Sequence, residues 1–242
     1  MEKLDLHCHI LPELDDGSGS GEESLEMLKT AYGQGIYRMI ATSHGSGQFL
    51  KSHPAAIRRA CKDLERSARE KISPVVRIYP GQEILYTDSV LERLGKEELL
   101  TLADSSYVLL EFFPGAPYSM ILRAVREFAM TRYDPVLAHA ERYQELKKEG
   151  RMEELIETGA YMQMNYRSIG GRWYDPSVRW CQEMLRRENI HFLGTDMHNQ
   201  TDRGPDTLSA ERWLLRHLDH AYVEAILRKN AEKVIENIRI RI

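Results

Sequence analysis

Residues 3–9 read Lys-Leu-Asp-Leu-His-Cys-His, and the interpretation of the whole chain starts from this stretch. Its apolar and β-branched neighbours predict a strand, in which alternate side chains point to the same side. His7 and His9 therefore share one face, while Cys8 points to the other. Two imidazoles in this arrangement suit one metal ion, although a partly exposed histidine pair at a strand end is the more common explanation of a single His-x-His.

Short strand-like runs alternate with longer segments of helical periodicity along the chain. The predicted strands are residues 3–9, 37–43, 76–83, 107–112, 135–140, 161–166 and 191–196. The predicted helices are residues 22–34, 54–71, 89–94, 118–131, 143–157, 176–188, 207–218 and 221–237. Strict alternation predicts parallel strands joined by crossover helices, in a barrel or in a doubly wound sheet.

Potential metal ligands lie at or just after the ends of nearly all of these strands. They are His7, His9, His44, Glu83, Glu111, His139, Asp196 and His198. In a barrel the carboxyl ends of all strands converge on one rim, so residues that are far apart in sequence can meet there. Imidazole together with carboxylate is a ligand set for Zn, Mn and Fe. We therefore expect a barrel with a metal site at one end.

Composition limits the remaining possibilities. The 242 residues carry 33 Lys and Arg against 37 Asp and Glu, a net charge of −4, and 42% are hydrophobic. We expect a single domain over 1–242, and the charge balance disfavours a nucleic-acid partner. The chain opens in a charged segment without an apolar leader, and no run of about 18 apolar residues occurs. We expect a cytoplasmic protein without membrane insertion, in which the three cysteines are reduced thiols.

Seven short motifs carry a family resemblance that runs the length of the chain in the right order. They are Asp-Leu-His-Cys-His (5–9), Asp-Asp-Gly (15–17), Thr-Ser-His (42–44), Gly-Gln-Glu-Ile (81–84), Leu-Glu-Phe (110–112), His-Ala-Glu-Arg-Tyr (139–143) and Asp-Met-His-Asn (196–199). The chain resembles the polymerase and histidinol phosphatase (PHP) superfamily, and within it the bacterial manganese-dependent tyrosine phosphatases of capsular and exopolysaccharide operons. The resemblance implies the PHP fold, a distorted seven-stranded (β/α)7 TIM-like barrel.

The resemblance also implies a centre of three divalent metal ions, with Mn expected and Fe or Zn as alternatives. Its ligands would be His7, His9, Glu83 and Asp196 for one ion, Glu83, Glu111 and His139 for the second, and Asp16, His44 and His198 for the third. Asp5 would orient these ligands from behind. Arg142 and Arg203 match arginines that bind the substrate phosphate, for which a guanidinium is chemically suited.

The implied function is hydrolysis of phosphotyrosine by a hydroxide that the trinuclear centre activates. The expected substrate is a bacterial tyrosine kinase that regulates capsule or exopolysaccharide synthesis. Three alternatives stay open: a small-metabolite phosphatase such as histidinol phosphatase, a DNA phosphodiesterase, which the acidic balance disfavours, and a non-catalytic binding module of a polysaccharide-export complex. The chain departs from close relatives at 45–48, which lacks basic residues, and at Gly204, where a proline is usual.

Two further motifs have simpler explanations. Cys181 and Arg187 have the Cys-x5-Arg spacing of cysteine-dependent tyrosine phosphatases, but the residues between them are helix formers that cannot build a phosphate-binding loop. We expect a packed helix thiol. Residues 20–24 resemble a subunit-contact motif of ring-forming members, which leaves a homo-oligomer open, yet Ser20 and Glu23 also form a helix capping box.

Overall fold

The computed structural model describes residues 1–45, 49, 51–172 and 174–241. The sequence departure predicted at 45–48 lies outside the described residues except for Gly45. The described strands are β1 (Lys3–Cys8), β2 (Ile36–Ala41), β3 (Arg77–Pro80), β4 (Glu83–Leu85), β5 (Tyr107–Glu111), β6 (Asp134–Leu137), β7 (Tyr161–Asn165) and β8 (Phe192–Gly194). All the pairings between them are parallel, which confirms the predicted α/β organisation.

Helices connect these strands. They are α1 (Gly21–Gly33), α2 (Pro54–Lys71), α3 (Val90–Gly95), α4 (Tyr118–Ala129), α5 (Arg151–Glu157), α6 (Pro176–Arg186), α7 (Leu208–His217), α8 (His220–Glu224) and α9 (Asn230–Ile235), with a π-helical turn at Ala225–Lys229 between the last two. The helix predicted at 143–157 is shorter: its first part is a 3₁₀ turn at Gln144–Lys147, and α5 begins at Arg151. Of the described helices, none is both long and apolar enough to cross a membrane.

The prediction of seven strands was wrong in one place. The predicted strand at 76–83 is two strands, β3 and β4, which belong to different sheets of order β1-β2-β3 and β4-β5-β6-β7-β8. Pro80 ends β3, where it has no N–H to donate to a ladder. At Gly81 a Cβ atom would lie 2.8 Å from Cγ2 of Ile40, so a larger residue between β3 and β4 would have to displace that side chain.

Backbone hydrogen bonds join the two sheets at their carboxyl ends. On one side, the N–H of Glu83 donates to the carbonyl of Thr42 (3.2 Å), and that of Gly45 donates to the carbonyl of Glu83 (2.8 Å). On the other side, the N–H of Asp196 donates to the carbonyl of His7 (2.8 Å). The described strands form two sheets and not a closed sheet, and both junctions lie where predicted ligands cluster.

The start of α1 bears out the predicted capping box with one change of partner. The N–H of Glu23 donates to Oγ of Ser20 (3.1 Å), whereas the Glu23 carboxylate accepts from the N–H of Gly19 and not from that of the cap residue. Acidic side chains in this first turn also suit the helix dipole. The helical contacts account for residues 20–24 without a partner subunit.

A buried histidine that the sequence analysis left without a role joins β7 to β8. His191 donates its N–H to the carbonyl of Met162, and its Nδ1 accepts from the N–H of Met162, both at 3.0 Å. Because Nδ1 accepts a hydrogen bond, it carries no proton, and the imidazole of His191 is neutral in the folded chain. Burial lowers the pKa of His191 to about 4.

Protonation of His191 should therefore make stability depend on pH. Between about pH 6.5 and 4 the unfolded chain binds a proton that the folded chain does not, so the free energy of unfolding should fall as pH falls through this window. The loss from this group reaches about 3 kcal/mol at pH 4. Urea unfolding of His191→Asn should show a flatter pH slope than wild type, while His220→Asn, at an exposed position, keeps the wild-type slope. Equal slopes for His191→Asn and wild type would contradict this assignment.

Candidate metal centre

The carboxylate of Glu83 lies in the middle of the candidate site and is 1% exposed. Its Oε2 lies 3.3 Å from Nε2 of His7, 3.1 Å from Nε2 of His9 and 3.3 Å from Nδ1 of His44. Its Oε1 lies 2.7 Å from Nε2 of His139. One buried carboxylate thus meets four imidazoles, which come from the ends of β1 and β6 and from the loop after β2.

The structure brings the other predicted ligands around this centre. Asp16 Oδ1 lies 3.4 Å from Nε2 of His44 and 3.6 Å from Nε2 of His198. Asp196 Oδ1 lies 3.6 Å from Nε2 of His7. Glu111 Oε1 lies 3.6 Å from Nε2 of His139. All nine predicted ligands therefore meet at the carboxyl ends of the strands.

The ligand atoms form three sets that match the implied assignment only in part, because Glu83 groups with His44 and Glu111, and His139 belongs to none of the three. Three sets have ligand atoms within 4.8 Å of one another: His9, Asp16, His44 and His198; His7, His9 and Asp196; and His44, Glu83 and Glu111. Two imidazoles take part in more than one set. His44 turns Nδ1 toward Glu83 and Nε2 toward Asp16, and so faces carboxylates of two different sets. His9 likewise faces both Asp196 and the set around Asp16.

Two of the predicted ligands sit on strained backbone. His139 has φ 33° and Asp196 has φ 51°, both in the left-handed region that residues other than glycine rarely adopt. Each lies two residues after the end of a strand, His139 after β6 and Asp196 after β8. Such conformations cost about 1 to 3 kcal/mol each and occur most often at functional sites.

The charges at the centre call for cations. Burial opposes ionisation of Glu83, yet His7 and hydrogen bonds from His139 hold its pKa well below the usual range. Burial opposes protonation of His9, but the carboxylate of Asp15 raises its pKa well above the usual range. Burial and the nearby charge of Glu83 raise the pKa of Glu111. Several carboxylates share a small buried volume here, and divalent cations would neutralise them.

His198 tests whether the residues fit a metal. Its Nδ1 lies 3.0 Å from the carbonyl of Asp196, which can only accept, so this nitrogen carries the proton. Burial and the charge of His9 lower the pKa of His198 to about 3, and the ring is therefore neutral. Its Nε2 is then a buried lone pair, and it has no hydrogen-bond partner among the described residues. A metal ligand has these properties.

Asp15 has a role that the sequence analysis missed. Its Oδ2 accepts from Nδ1 of His9 (2.8 Å) and from the N–H of His44 (2.9 Å), and its Oδ1 accepts from the N–H of Gly17 (3.0 Å). A carboxylate on Nδ1 leaves Nε2 of His9 facing the centre. Of the two adjacent aspartates, Asp15 therefore orients ligands, while Asp16, half exposed, reaches the centre itself.

Asp5 acts on backbone and not on an imidazole ring. It accepts from the N–H of His7 (3.2 Å) and from both the N–H (2.9 Å) and the hydroxyl (2.5 Å) of Thr195. It thereby holds the end of β8 against β1. Two more polar side chains were also missed, Gln163 and Asn165 on β7, although their alternate positions on a buried strand were readable in the sequence.

Both predicted phosphate-binding arginines lie against Asp196. Nη2 of Arg142 is 2.5 Å from Oδ2, and Nη2 of Arg203 is 2.8 Å from Oδ1. Their side chains are 37% and 33% exposed, whereas Asp196 is 2% exposed. Both arginines therefore share a carboxylate with the candidate centre. Their partial exposure places them on its open side.

Comparison with known proteins identifies the family. A family model described as capsular polysaccharide synthesis, CpsB/CapC, matches residues 3–236. The chain belongs to the CpsB/CapC family. It is 33% identical over 239 residues to the tyrosine-protein phosphatase YwqE of Bacillus subtilis, covering 97% of this chain and 92% of that protein. It is 35% identical over 208 residues to the tyrosine-protein phosphatase CpsB of Streptococcus pneumoniae, covering 84% and 85%.

A solved structure agrees with this membership. It comes from a study of YwqE and CpsB as unique metal-dependent tyrosine phosphatases, and it superposes on this chain with a TM-score of 0.91 at 32% identity, covering 98% of this chain and 96% of the other. The resemblance stated from the motifs is thus confirmed. The agreement includes the fold at the candidate centre, since the match extends over nearly the whole chain.

Replacement of the central carboxylate tests the metal centre. Glu83→Gln keeps the side-chain shape but leaves one oxygen and places an NH₂ group among the imidazoles. We expect Glu83→Gln to lose at least one metal ion per chain. Its affinity for the remaining metal should fall at least tenfold, as is typical when groups around a metal site are changed. Elemental analysis of gel-filtered protein measures this. Glu211→Gln is the matched control, because Glu211 is also buried but pairs with Lys3, away from the centre. Full metal content in Glu83→Gln would refute the central role of Glu83.

Proposed function

We propose that this chain is a metal-dependent tyrosine-protein phosphatase. The observation that carries the proposal is the combination of nine clustered imidazole and carboxylate ligands with two arginines on their open side, in a CpsB/CapC family member. Relatives that cover most of the chain are tyrosine-protein phosphatases by name. The described residues around the centre supply what phosphate hydrolysis needs: ligands, anion-binding groups and an open face.

In the proposed centre three divalent ions would be bound, with Mn expected and Fe or Zn as alternatives. The ligands would be His7, His9, Glu83 and Asp196 for one ion, Glu83, Glu111 and His139 for another, and Asp16, His44 and His198 for the third. Glu83 would bridge two ions, in keeping with the contacts of its two oxygens to different imidazoles. The mixed nitrogen and oxygen donor set suits borderline divalent ions better than Ca²⁺ or Mg²⁺.

Bound ions would neutralise phosphate oxygens and lower the pKa of a coordinated water, so that hydrolysis can proceed near neutral pH. The residues of the chain would bind the phosphate and hold the metal ligands in place. Arg142 and Arg203 would bind the transferring phosphoryl group, because two guanidinium groups offer paired donors at a partly exposed rim. Asp15 and Asp5 would hold the ligands in place from behind. No thiol is required.

The cysteine alternative has no support in the geometry. Cys181 lies within α6, is 2% exposed, and has its pKa raised well above the usual range by burial. A nucleophilic cysteine needs the opposite, a lowered pKa in an exposed and electropositive setting. Cys8 and Cys61 are also buried free thiols. Free thiols are ordinary in the reducing cytoplasm, where we propose that the protein acts.

Further parts of the proposal concern the surroundings of the enzyme. We propose a single domain over 1–242, in which the two sheets act together as one interrupted PHP-type barrel. The protein substrate would be a tyrosine kinase that regulates capsule or exopolysaccharide synthesis, in line with the family description. A homo-oligomer through residues 20–24 is a weaker proposal, because the capping of α1 already explains these residues.

Metal dependence is the first test of this function. EDTA should abolish turnover of a phosphotyrosine peptide, and Mn²⁺ should restore it, while Cys181→Ser should keep kcat within about twofold of wild type because the thiol takes no part. Histidinol phosphate, assayed in parallel after re-addition of single metals, separates the protein phosphatase from a metabolite phosphatase. Faster turnover of histidinol phosphate than of the peptide would overturn the substrate class. Loss of activity in a folded Cys181→Ser protein with intact metal content would overturn the mechanism.

The arginines provide a second test. Arg142→Ala and Arg203→Ala should each weaken transition-state stabilisation by roughly 2 to 4 kcal/mol, the range typical of one lost donor to a developing anion. Metal content should stay near wild type, because Asp196 keeps the other arginine in each variant. Lysine should recover only part of the loss, since an ammonium lacks the planar pair of donors. The measurement is kcat/KM with metal content. Near-normal kcat/KM in both alanine variants would remove the arginines from the mechanism.

A further inference from the structure

Strand β7 contributes none of the nine predicted ligands, yet it carries two fully buried polar side chains beside them. Gln163 is 0% exposed and Asn165 is 1% exposed, and their alternate positions put both on one face of the strand. Burying an amide without hydrogen bonds costs free energy, so each of these groups must find partners. Their partners are residues of the candidate centre.

Gln163 joins two predicted ligands from different strands. Its Oε1 lies 2.7 Å from the backbone nitrogen of His139 and 3.0 Å from Nδ1 of His7. Its Nε2 lies 2.9 Å from Oδ1 of Asn165, and Nδ2 of Asn165 lies 2.9 Å from Oδ2 of Asp196. One chain of hydrogen bonds therefore connects the ends of β1, β6 and β8 through side chains of β7.

The direction of every hydrogen bond in this chain follows from one backbone group. The N–H of His139 can only donate, so the atom of Gln163 that faces it is the oxygen and not the nitrogen. The same oxygen faces His7, so Nδ1 of His7 must carry the proton. When His7 is neutral, its lone pair is then on Nε2, the nitrogen that points at Glu83 and Asp196.

The same reasoning runs from Gln163 to Asp196. Because its oxygen faces His139, its NH₂ group faces Asn165 and must donate, so the atom that accepts is Oδ1 of Asn165. The NH₂ group of Asn165 then points at the carboxylate of Asp196 and donates to it. Asp196 thus receives a neutral donor on Oδ2 in addition to the two arginines. Each hydrogen bond from His139 to Asp196 then pairs one donor with one acceptor. The lone pair on Nε2 of His7 faces Nε2 of His9 at 3.2 Å, an arrangement that a cation between them would stabilise.

We propose that Gln163 is a positioning residue of the metal centre, which sets the tautomer of His7 and, through Asn165, the orientation of Asp196. The inference rests on the metal centre proposed above. In this arrangement the hydrogen bond from Nδ1 of His7 to Gln163 leaves the lone pair of Nε2 free for a cation. Hydrogen-bonded partners of metal-bound histidines have the same effect. The adjoining strand leaves room for this arrangement, because a Cβ atom on Gly194 would lie 2.9 Å from Nε2 of Gln163 and 2.7 Å from Cβ of His7.

A role in packing alone would have different consequences. If Gln163 only filled space and satisfied backbone groups, its loss would lower stability without changing the proton position on His7 or the affinity for metal. The test therefore uses the proton on Nδ1 of His7 and metal affinity as readouts. Gln163→Met removes the acceptor with little change in shape. Gln163→Glu keeps an oxygen toward His7. Asn165→Leu removes the hydrogen bonds of Asn165 to Gln163 and to Asp196 but leaves the oxygen of Gln163 on His7 and His139.

The experiment uses the full chain loaded with Zn²⁺, which permits NMR of ¹⁵N-labelled histidine. The Nδ1–H signal of His7 is assigned by its absence from His7→Gln, and the Kd for Zn²⁺ is measured by chelator competition. We expect the protected signal in wild type, Gln163→Glu and Asn165→Leu, and its loss in Gln163→Met. Zn²⁺ binding should weaken at least tenfold in Gln163→Met and severalfold in Asn165→Leu. The matched control is Gln182→Met. Gln182 is a buried glutamine of α6 whose NH₂ group donates to the carbonyl of Ile169, so its replacement should leave the His7 signal and the Zn²⁺ affinity as in wild type.

The outcomes separate this inference from the function on which it rests. If wild type binds no Zn²⁺ or Mn²⁺, the metal centre itself is refuted, and the positioning role with it. If wild type binds metal and Gln163→Met keeps both the signal and the affinity, only the positioning role is refuted. Should Gln163→Met fail to fold, loss of the signal in Gln163→Glu or unchanged affinity in Asn165→Leu would overturn the proposal.

Discussion

The buried carboxylate of Glu83 is the group on which the arrangement of this protein depends. An ionised carboxylate in the interior is expensive unless positive charge and hydrogen bonds surround it, and here four imidazoles lie within 3.3 Å of its oxygens. Those imidazoles come from distant parts of the chain. The strand ends must therefore converge for Glu83 to be buried at all.

Glu83 also belongs to the junction between the two sheets. Its N–H and carbonyl bond the segment that follows β2, while its strand pairs with β5. The second junction, between β1 and β8, likewise involves His7 and Asp196 through their backbone. These ligands thus lie where backbone hydrogen bonds pass from one sheet to the other. Irregular backbone at these points, including the left-handed Asp196, turns side chains over the end of the sheets where a regular ladder would keep them at its faces.

Exposure divides the centre into a closed and an open side. His7, His9, Glu83 and Asp196 are almost fully buried, and amide and carboxylate groups of the fold satisfy them from behind. Asp16 and the two arginines are partly exposed on the other side. This division suits a phosphotyrosine side chain of a protein. Its phosphate must reach the rigidly held centre while the rest of the substrate stays outside.

The sequence by itself determined the alternation of strands and helices, the ligand types at the strand ends, and the helical setting of Cys181. These follow from local periodicity, propensity and spacing, which act over a few residues. Pro80 and Gly81 mark the break in residues 76–83 locally, but only tertiary pairing decided that the two halves join different sheets. Tertiary structure alone decided that Asp15 orients His9 while Asp16 faces the centre, and that both arginines meet Asp196. It also decided the partners of Gln163, which lie 24 and 156 residues away. Local patterns carry no information about such long-range hydrogen bonds, whereas the folded chain must satisfy every one of these buried groups.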